Sequence, residues 1–505
     1  MSDSELTYAV HVSVNRRSLV SIDKYSVRQA AITFLFGESG IGKSLINRTI
    51  YGLLPPDEFT YDVNGVSGEE YARAARTREI LATGFFVFQE PSTHLHPLLT
   101  IGEQLREGSL AEDTREQAIL TELWAGALSS SPSELLTVYP KPFRPSGGEK
   151  QRILLAMAFK RIDRWTAGSV AGDPPLFVFD EPTGSLDNRF RDIVLAMLFQ
   201  RYRTRPFTAV VISHDYSMVS TIRRDYADLS SSIDYKELRM KDEQLELTPF
   251  EPETYLRWLR RQTVPAPKTT DAGIVGKVDS SISVFGRHLM VLQGANGGSP
   301  MPLVFRKGSM TYLKAPSGMG KTTLVKVMMG LLRADRFRME FKGEVLTEKT
   351  PEAFWRDHIW GRSMTMVFQH ADEALNQQST VAGTFHGLPL RFPRTRSALT
   401  EFLEHLFPPD VIRDILDRKV SRLSGGQKQR LNLLRGLALQ TDLLILDEPL
   451  NGLDFESSVR VLEMLRRRLD GGSAILVISH NEEIFDSQVR PDDVYYLRES
   501  PEMSD

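Results

Sequence analysis

The stretch "AITFLFGESGIGKS", residues 31–44, decides how this chain is read. Its first six residues form a continuous apolar run, the pattern of a strand buried on both faces of a parallel sheet. The next eight fit G-x-x-x-x-G-K-[ST], a glycine loop set between a strand and a helix. Glycines let backbone N–H groups turn toward phosphate oxygens, and the N-terminus of the following helix adds positive potential. In such a loop Lys43 reaches the β- and γ-phosphates and the Ser44 hydroxyl ligates Mg²⁺. Gly37, Glu38, Ser39, Gly40, Ile41, Gly42, Lys43 and Ser44 are therefore read as a binding site for ATP.

The same design returns at 310–322 as "MTYLKAPSGMGKT". There Ala315, Pro316, Ser317, Gly318, Met319, Gly320, Lys321 and Thr322 form the loop. Ala315 stands where the pattern has glycine, so its backbone is expected in a conformation open to residues with a Cβ. Four further pairs of motifs follow in the same order. Gln89 in "FVFQEP" matches Gln369 in "MVFQHA", and Ser146 in "PSGGEKQR" matches Ser424 in "LSGGQKQR". "DEPTGSLD" at 180–187 matches "DEPLNGLD" at 447–454, and His214 and His480 each end a run of strand-like residues. Five motifs repeated in order mark an internal duplication. The fold class is α/β, with two similar halves. The join, "RQTVPAPKTTDAGIVGK" at 261–277, is rich in Pro, Gly and small polar residues. This sets the halves at 1–262 and 278–505 with a linker over 263–277, and "PETYLRWLRR" reads as a helix closing the first half.

The paired carboxylates have separate tasks. At the end of its strand, Asp180 or Asp447 holds Mg²⁺. The next residue, Glu181 or Glu448, faces the attacking water and can polarise it. Two ATP molecules each need a metal holder and a water activator.

Composition narrows the function. Net charge is −3, which supplies no overall basic field for nucleic acid. "RRR" at 466–468 reads as a solvated helix face. No cysteine is present, which excludes disulfides, thiolate-held clusters and a cysteine nucleophile. No run reaches the roughly 18 apolar residues of a membrane helix. "MSDSELTYAV" lacks the basic-then-apolar pattern of a secretory signal. A cytoplasmic protein is expected, with any membrane role exercised through a partner.

"SGGEKQR" and "SGGQKQR", taken with the other four motifs, resemble the signature of ATP-binding cassette (ABC) ATPases over both halves. The resemblance implies two P-loop cassettes, each with a parallel-sheet core, an antiparallel β region and a helical subdomain. It implies that the cassettes pair head to tail within the chain. Ser424, Gly425, Gly426 and Gln427 would then complete the site built on Lys43, and Ser146, Gly147, Gly148 and Glu149 the site built on Lys321. Gln89 and Gln369 match the glutamine loop, which contacts Mg²⁺ and senses the partner. His214 and His480 match the switch histidine at the γ-phosphate. Asp187 and Asp454 match the loop that communicates between sites. Pro145 and Ala315 depart from the family pattern, both at the Lys321 site, so the Lys43 site is expected to turn over faster. No aromatic residue upstream of either loop is assigned to adenine.

"FQEPSTHLHPLLTIGEQL" at 88–105 is similar to the peptide and nickel importer ATPases. It implies the energy subunit of such an importer, peripheral at the inner face of the membrane on integral permease subunits. The stretches Glu90–Gln104 and His370–Phe385 would face the partner. Two other classes are weighed: soluble tandem ATPases that remodel or activate an enzyme complex, resembling the phosphonate-lyase and reductase-activation types, some of which share the importer-like motifs, and translation factors of the ABC-F type. The short linker speaks against the last.

Overall fold

The computed structural model describes residues 4–106, 113–125, 145–184, 188–241, 244–262, 273–294, 298–316 and 318–500. The calls on Ser317, Asp187 and most of the linker stretch lie outside these residues. The chain divides into two compact units, Met1–Tyr255 and Leu256–Asp505. The division falls within the helix Pro252–Arg260, ahead of the stretch 263–277, whose last residues begin the strand Ile274–Val278. Tyr255 of that helix is buried and stacks on Tyr216 at 6.4 Å.

In the first unit the glycine loop leaves the strand Ile32–Gly37. That strand lies parallel to Thr208–Ile212, which lies parallel to Leu176–Asp180, which lies parallel to Phe85–Val87. The far side is completed by Ile233–Lys241 and the antiparallel Gln244–Pro249. A separate four-stranded antiparallel sheet holds Arg17–Arg28, Glu5–Val14, Thr60–Val63 and Val66–Ser67.

The second unit repeats the central order with Met310–Lys314, Ala474–Ile478, Leu443–Asp447 and Met364–Val367, all parallel. Its outer side differs. Val494–Glu499 sits between Met310–Lys314, to which it is parallel, and Arg287–Gln293, to which it is antiparallel.

The continuous apolar runs follow from coverage on both faces. Leu443 and Ile445 enter one core cluster, while Leu444 and Leu446 enter the other. Successive side chains of a strand point to opposite faces, so a strand covered on both sides has no polar alternation. The second cluster also takes in Leu431, Leu434 and Ala438 of the helix after the signature, and Leu399, Leu403, Ile412 and Ile415 of a helical subdomain. The first unit's helical subdomain is described in Ile101–Arg106 and Asp113–Leu123.

One reading is corrected. Arg468 of "RRR" is 1% exposed and is not on a solvated face. Its guanidinium donates to the carbonyls of Leu439 and Thr441 and to Thr441 Oγ1 at 2.7 Å. It satisfies carbonyls that the helix Gly425–Ala438 and the following turn would leave bare. Burial pushes it down to about 10. Sequence pattern could not separate it from its neighbours, because the carbonyls it serves lie some thirty residues away in sequence.

Candidate active sites

Each glycine loop turns on positive-φ backbone. Gly37 has φ 136°, and a Cβ there would lie 2.5 Å from Leu238 O, so only glycine fits. Ala315 is not among the positive-φ residues, so the second loop leaves its strand by a route that accepts a Cβ. Gly42 (φ 113°) and Gly320 (φ 101°) then start the helices Lys43–Ile50 and Lys321–Met328. Lys43 is 4% exposed, and its ammonium donates to Gly37 O at 2.6 Å and Glu38 O at 2.8 Å. Lys321 does the same to Ala315 O (2.5 Å) and Pro316 O (3.3 Å). Each loop is wrapped around its own ammonium, with the helix N-terminus beneath.

The metal residues meet as expected. Ser44 Oγ donates to Asp180 Oδ1 at 2.8 Å, and Thr322 Oγ1 to Asp447 Oδ2 at 2.7 Å. Burial pushes Asp180 up to about 6 against the Ser44 hydrogen bond, and it raises Asp447 as well. A hydroxyl and a carboxylate are hard oxygen donors of the kind Mg²⁺ takes. Among the described residues no cluster of three or more His, Cys, Asp or Glu could hold a metal. A cation at Ser44 and Asp180 would take further ligands from nucleotide and water, as Mg²⁺ with ATP does, besides any from Gln89.

The adjacent glutamates share an unusual backbone. Glu181 has φ 46° and Glu448 φ 52°, a left-handed conformation uncommon outside glycine. Each is pinned there, with Glu181 N–H donating to Ile212 O at 3.0 Å and Glu448 N–H to Ile478 O at 2.9 Å. Strain of this kind collects at functional sites.

Beyond the backbone the two sites differ. In the first, Gln89 Nε2 donates to Glu181 Oε2 at 2.8 Å, and His214 Nδ1 lies 3.3 Å from Oε1. Burial alone would raise Glu181, but the charges of His214 and Lys43 outweigh it and hold the carboxyl low. His214 is raised correspondingly: burial opposes its charge, and Glu181 overcomes that. In the second, Glu448 Oε2 accepts from Ser479 Oγ at 3.1 Å and from the His480 backbone N–H at 3.2 Å. His480 Nε2 is 3.6 Å from Oε1, and no described hydrogen bond joins Gln369 to Glu448. Burial pushes Glu448 up to about 7. The charges beside Glu181 thus favour its ionised form, while burial works against that form in Glu448.

The signature residues begin the helices Gly147–Thr166 and Gly425–Ala438. Both starts are capping boxes. Glu149 N–H donates to Ser146 Oγ while Glu149 Oε2 accepts from Ser146 N–H, and Ser424 and Gln427 repeat this. A Cβ added at Gly147 or Gly425 would meet nothing within 4 Å, so no packing inside either unit asks for glycine. Arg152 and Arg430, buried residues of these helices, donate to Leu123 O and Leu406 O, tying each signature to its helical subdomain. Lys150 reaches Ser92 Oγ at 3.1 Å, and Lys428 reaches Asp372 Oδ1 at 2.8 Å. Asp372 and Glu373, in a stretch expected to face a partner, thus serve contacts of their own unit; Glu373 pairs with Lys326 at 2.6 Å.

One residue that the sequence did not disclose is Phe285. It is 72% exposed with φ 53°, in the two-residue turn between Ser281–Val284 and Arg287–Gln293. Arg287 at the foot of that turn donates to Gly318 O of the glycine loop at 3.4 Å. The first unit has Asn15 and Arg16 in the equivalent turn, because Val14 pairs with Arg17 as Val284 pairs with Arg287. Turns with two positive-φ residues favour Asn and Gly, and an exposed phenylalanine there is the feature that could have drawn notice.

Comparison with known proteins agrees with this geometry. The family described as "ABC transporter" matches residues 21–184 and 299–451. The chain is 25% identical over 511 residues to the peptidoglycan transport ATP-binding protein YejF of Agrobacterium fabrum, spanning 95% of this chain and 88% of that one. It is 37% identical over 186 residues to the sulfate/thiosulfate import ATP-binding protein CysA 2 of Shewanella oneidensis, covering 36% of this chain and 50% of that one. A solved complex of the archaeal ribosome recycling factor aABCE1 with ribosomal stalk protein aP1 aligns at TM-score 0.62 and 17% identity, over 97% of this chain and 89% of that one. That likeness shows the fold. Two matched cassettes, each with glycine loop, carboxylate pair, signature helix and histidine in place, make this chain a member of the ABC transporter family and a tandem ABC ATPase.

Proposed function

We propose that this tandem ATPase is the energy subunit of an importer of the peptide/nickel type, acting on integral membrane permease subunits at the inner face of the membrane. The observation that carries this is a cavity of about 370 Å³ beside the glutamine loop of the first cassette, lined in part by Phe85, Phe88, His94, His96 and Gln104. Leu98, two residues after the lining His96, is 76% exposed. A partner seated there bears on the segment that begins at Gln89, and Gln89 holds Glu181. The peptidoglycan transport role in the relative's name supports the substrate class. Among the described residues no helix is long and apolar enough to cross a membrane, so a transport role needs a separate permease.

Within each site the residues act in turn. The glycine loop N–H groups and Lys43 or Lys321 bind the β- and γ-phosphates. Ser44 with Asp180, and Thr322 with Asp447, hold Mg²⁺. When bound, Mg²⁺ neutralises charge that develops on the phosphate oxygens. Glu181 or Glu448 takes the proton of the attacking water, and His214 or His480 stands beside that carboxylate. No packing inside either unit accounts for Gly147 and Gly425, which supports a role for both signatures toward nucleotide.

The coupling is tested at Leu98. Leu98→Glu should leave basal ATPase within about twofold, since exposed positions carry little stability. Stimulation by permease-containing membranes should fall about tenfold, as for loss of a buried interface anchor. Stimulation equal to the parent's would remove the cavity from the coupling path. Recovery of only soluble enzyme subunits on cross-linking from position 98 would favour an enzyme-remodelling ATPase instead.

Phe285 supplies a stacking face for adenine in the second site, and the Asn15–Arg16 turn leaves the first without one. In a Lys43→Ala background, which silences the first site, Phe285→Ala should weaken ATP binding about tenfold, in line with base–aromatic stacking of ~1–3 kcal/mol. Unchanged affinity by equilibrium titration would clear Phe285 of this role.

A further inference from the structure

The first cassette contains a buried ion pair that the reaction above does not use. Arg191, 8% exposed, lies in the first turn of the helix Asn188–Thr204. Its Nη1 donates to Asp215 Oδ2 at 3.0 Å, to Asn188 Oδ1 at 3.3 Å and to Ser217 Oγ. Its Nε and Nη2 donate to Asp192 Oδ1 at 3.1 and 3.0 Å, and Nη2 reaches Thr221 Oγ1 at 3.5 Å. Asp215 directly follows the switch histidine His214. Its Oδ1 accepts from Ser217 N–H at 2.9 Å, and its own N–H donates to Ser213 Oγ at 3.0 Å. The residues on both sides of His214 are therefore held, and the holding group comes from the helix that follows the "DEPTGSLD" loop.

The second cassette lacks this device. Asn481 follows His480, and Ser458 takes the place of Arg191, four residues after Asp454 as Arg191 is four after Asp187. Ser458 and Asn481 are 6% and 9% exposed, so the position is equally buried but carries no charge. The cassette with the ion pair is the one whose histidine ring, through Nδ1, stands 3.3 Å from its glutamate; in the other the ring, through Nε2, stands at 3.6 Å. Burying an Arg–Asp pair costs desolvation that the attraction barely offsets, so such a pair is weak evidence for stability and better evidence for a specified geometry.

We infer that Arg191 and Asp215 are positioning residues that hold His214 against Glu181, so that the first cassette keeps its catalytic pair assembled by a link the second cassette does not have. The inference rests on the reading of Glu181 as the base.

The test uses the full chain, with steady-state MgATP hydrolysis, the stoichiometry of a bound non-hydrolysable ATP analogue, and thermal unfolding measured on each variant. Asp215→Asn copies the residue at 481 and is the same size. It should lower kcat about tenfold, the scale of a small misplacement of a reacting group. KM and nucleotide stoichiometry should stay within twofold of the parent. Arg191→Ser should do the same, and Arg191→Lys should keep an intermediate kcat because it restores the charge without the fork. A purely structural role would instead lower the melting temperature and the bound stoichiometry together. The inference is overturned by a parental kcat in Asp215→Asn, or by a raised KM with kcat intact. If Arg191→Ser does not fold, Asp215→Asn decides alone. Glu181→Gln run alongside separates the two readings. A parental kcat there removes the base assignment itself. A large loss there, with Asp215→Asn unchanged, removes only the positioning role.

Discussion

The double variant Glu181→Gln/Glu448→Gln is expected to bind MgATP as the parent does and to hydrolyse it roughly 10²–10⁴ times more slowly, the span typical of a lost general base. Glutamine keeps the shape, and at position 181 it can still meet Gln89 and His214 by hydrogen bonds. What it loses is the charge that takes the water's proton. The two single variants should differ. Burial works against the charge of both glutamates, but His214 and Lys43 outweigh it at Glu181, whereas at Glu448 burial prevails over the hydrogen bonds from the His480 backbone and Ser479. Glu181→Gln should therefore lower turnover more than Glu448→Gln, matching the two departures from pattern, Ala315 and Pro145, at the other site. Steady-state hydrolysis and nucleotide trapping check this. Parental turnover in the double variant would end the base assignment, and the reverse ranking of the singles would end the asymmetry.

Lys43→Ala should weaken ATP binding at the first site by roughly 10- to 100-fold, the loss of charge-assisted hydrogen bonds worth ~1.5–3 kcal/mol. Lys321→Ala should do the same at the second. There is a structural component in both. The buried ammonium of Lys43 satisfies Gly37 O and Glu38 O, and alanine leaves those carbonyls without that donor. Lys43→Ala should thus lower the melting temperature of the nucleotide-free protein and reduce the shift that ATP normally gives. A double lysine variant that still binds and hydrolyses ATP like the parent would remove the glycine loops from the reaction.

Much of this was legible in the sequence, because the chemistry sits on local patterns. A glycine loop, a carboxylate pair at a strand end and a capped signature helix are each set by a few neighbouring residues. Residues that act across long separations were not legible. Phe285 gains meaning only when its turn is placed beside Gly318. Arg468 reads as surface until the carbonyls of Leu439 and Thr441 are brought to it. Arg191 lies within a helix, and only the fold carries Asp215 to its guanidinium. Glu149 and Gln427 show the converse: a family pattern marks them for nucleotide, and in the folded chain each closes a capping box.

The placement of Val494–Glu499 has a consequence for how the protein is made. In the first unit every partner of the glycine-loop strand is synthesised by residue 241, so its central sheet can close while the rest is still on the ribosome. In the second, the strands Arg287–Gln293 and Met310–Lys314 both pair with a segment made some two hundred residues later. Until Val494–Glu499 emerges, two unpaired strand edges wait side by side, the kind of surface that chaperones shield and that aggregates when they do not. Fusion of the cassettes thus yields a nascent chain whose first half can be finished early and whose second half stays open until its final strand arrives.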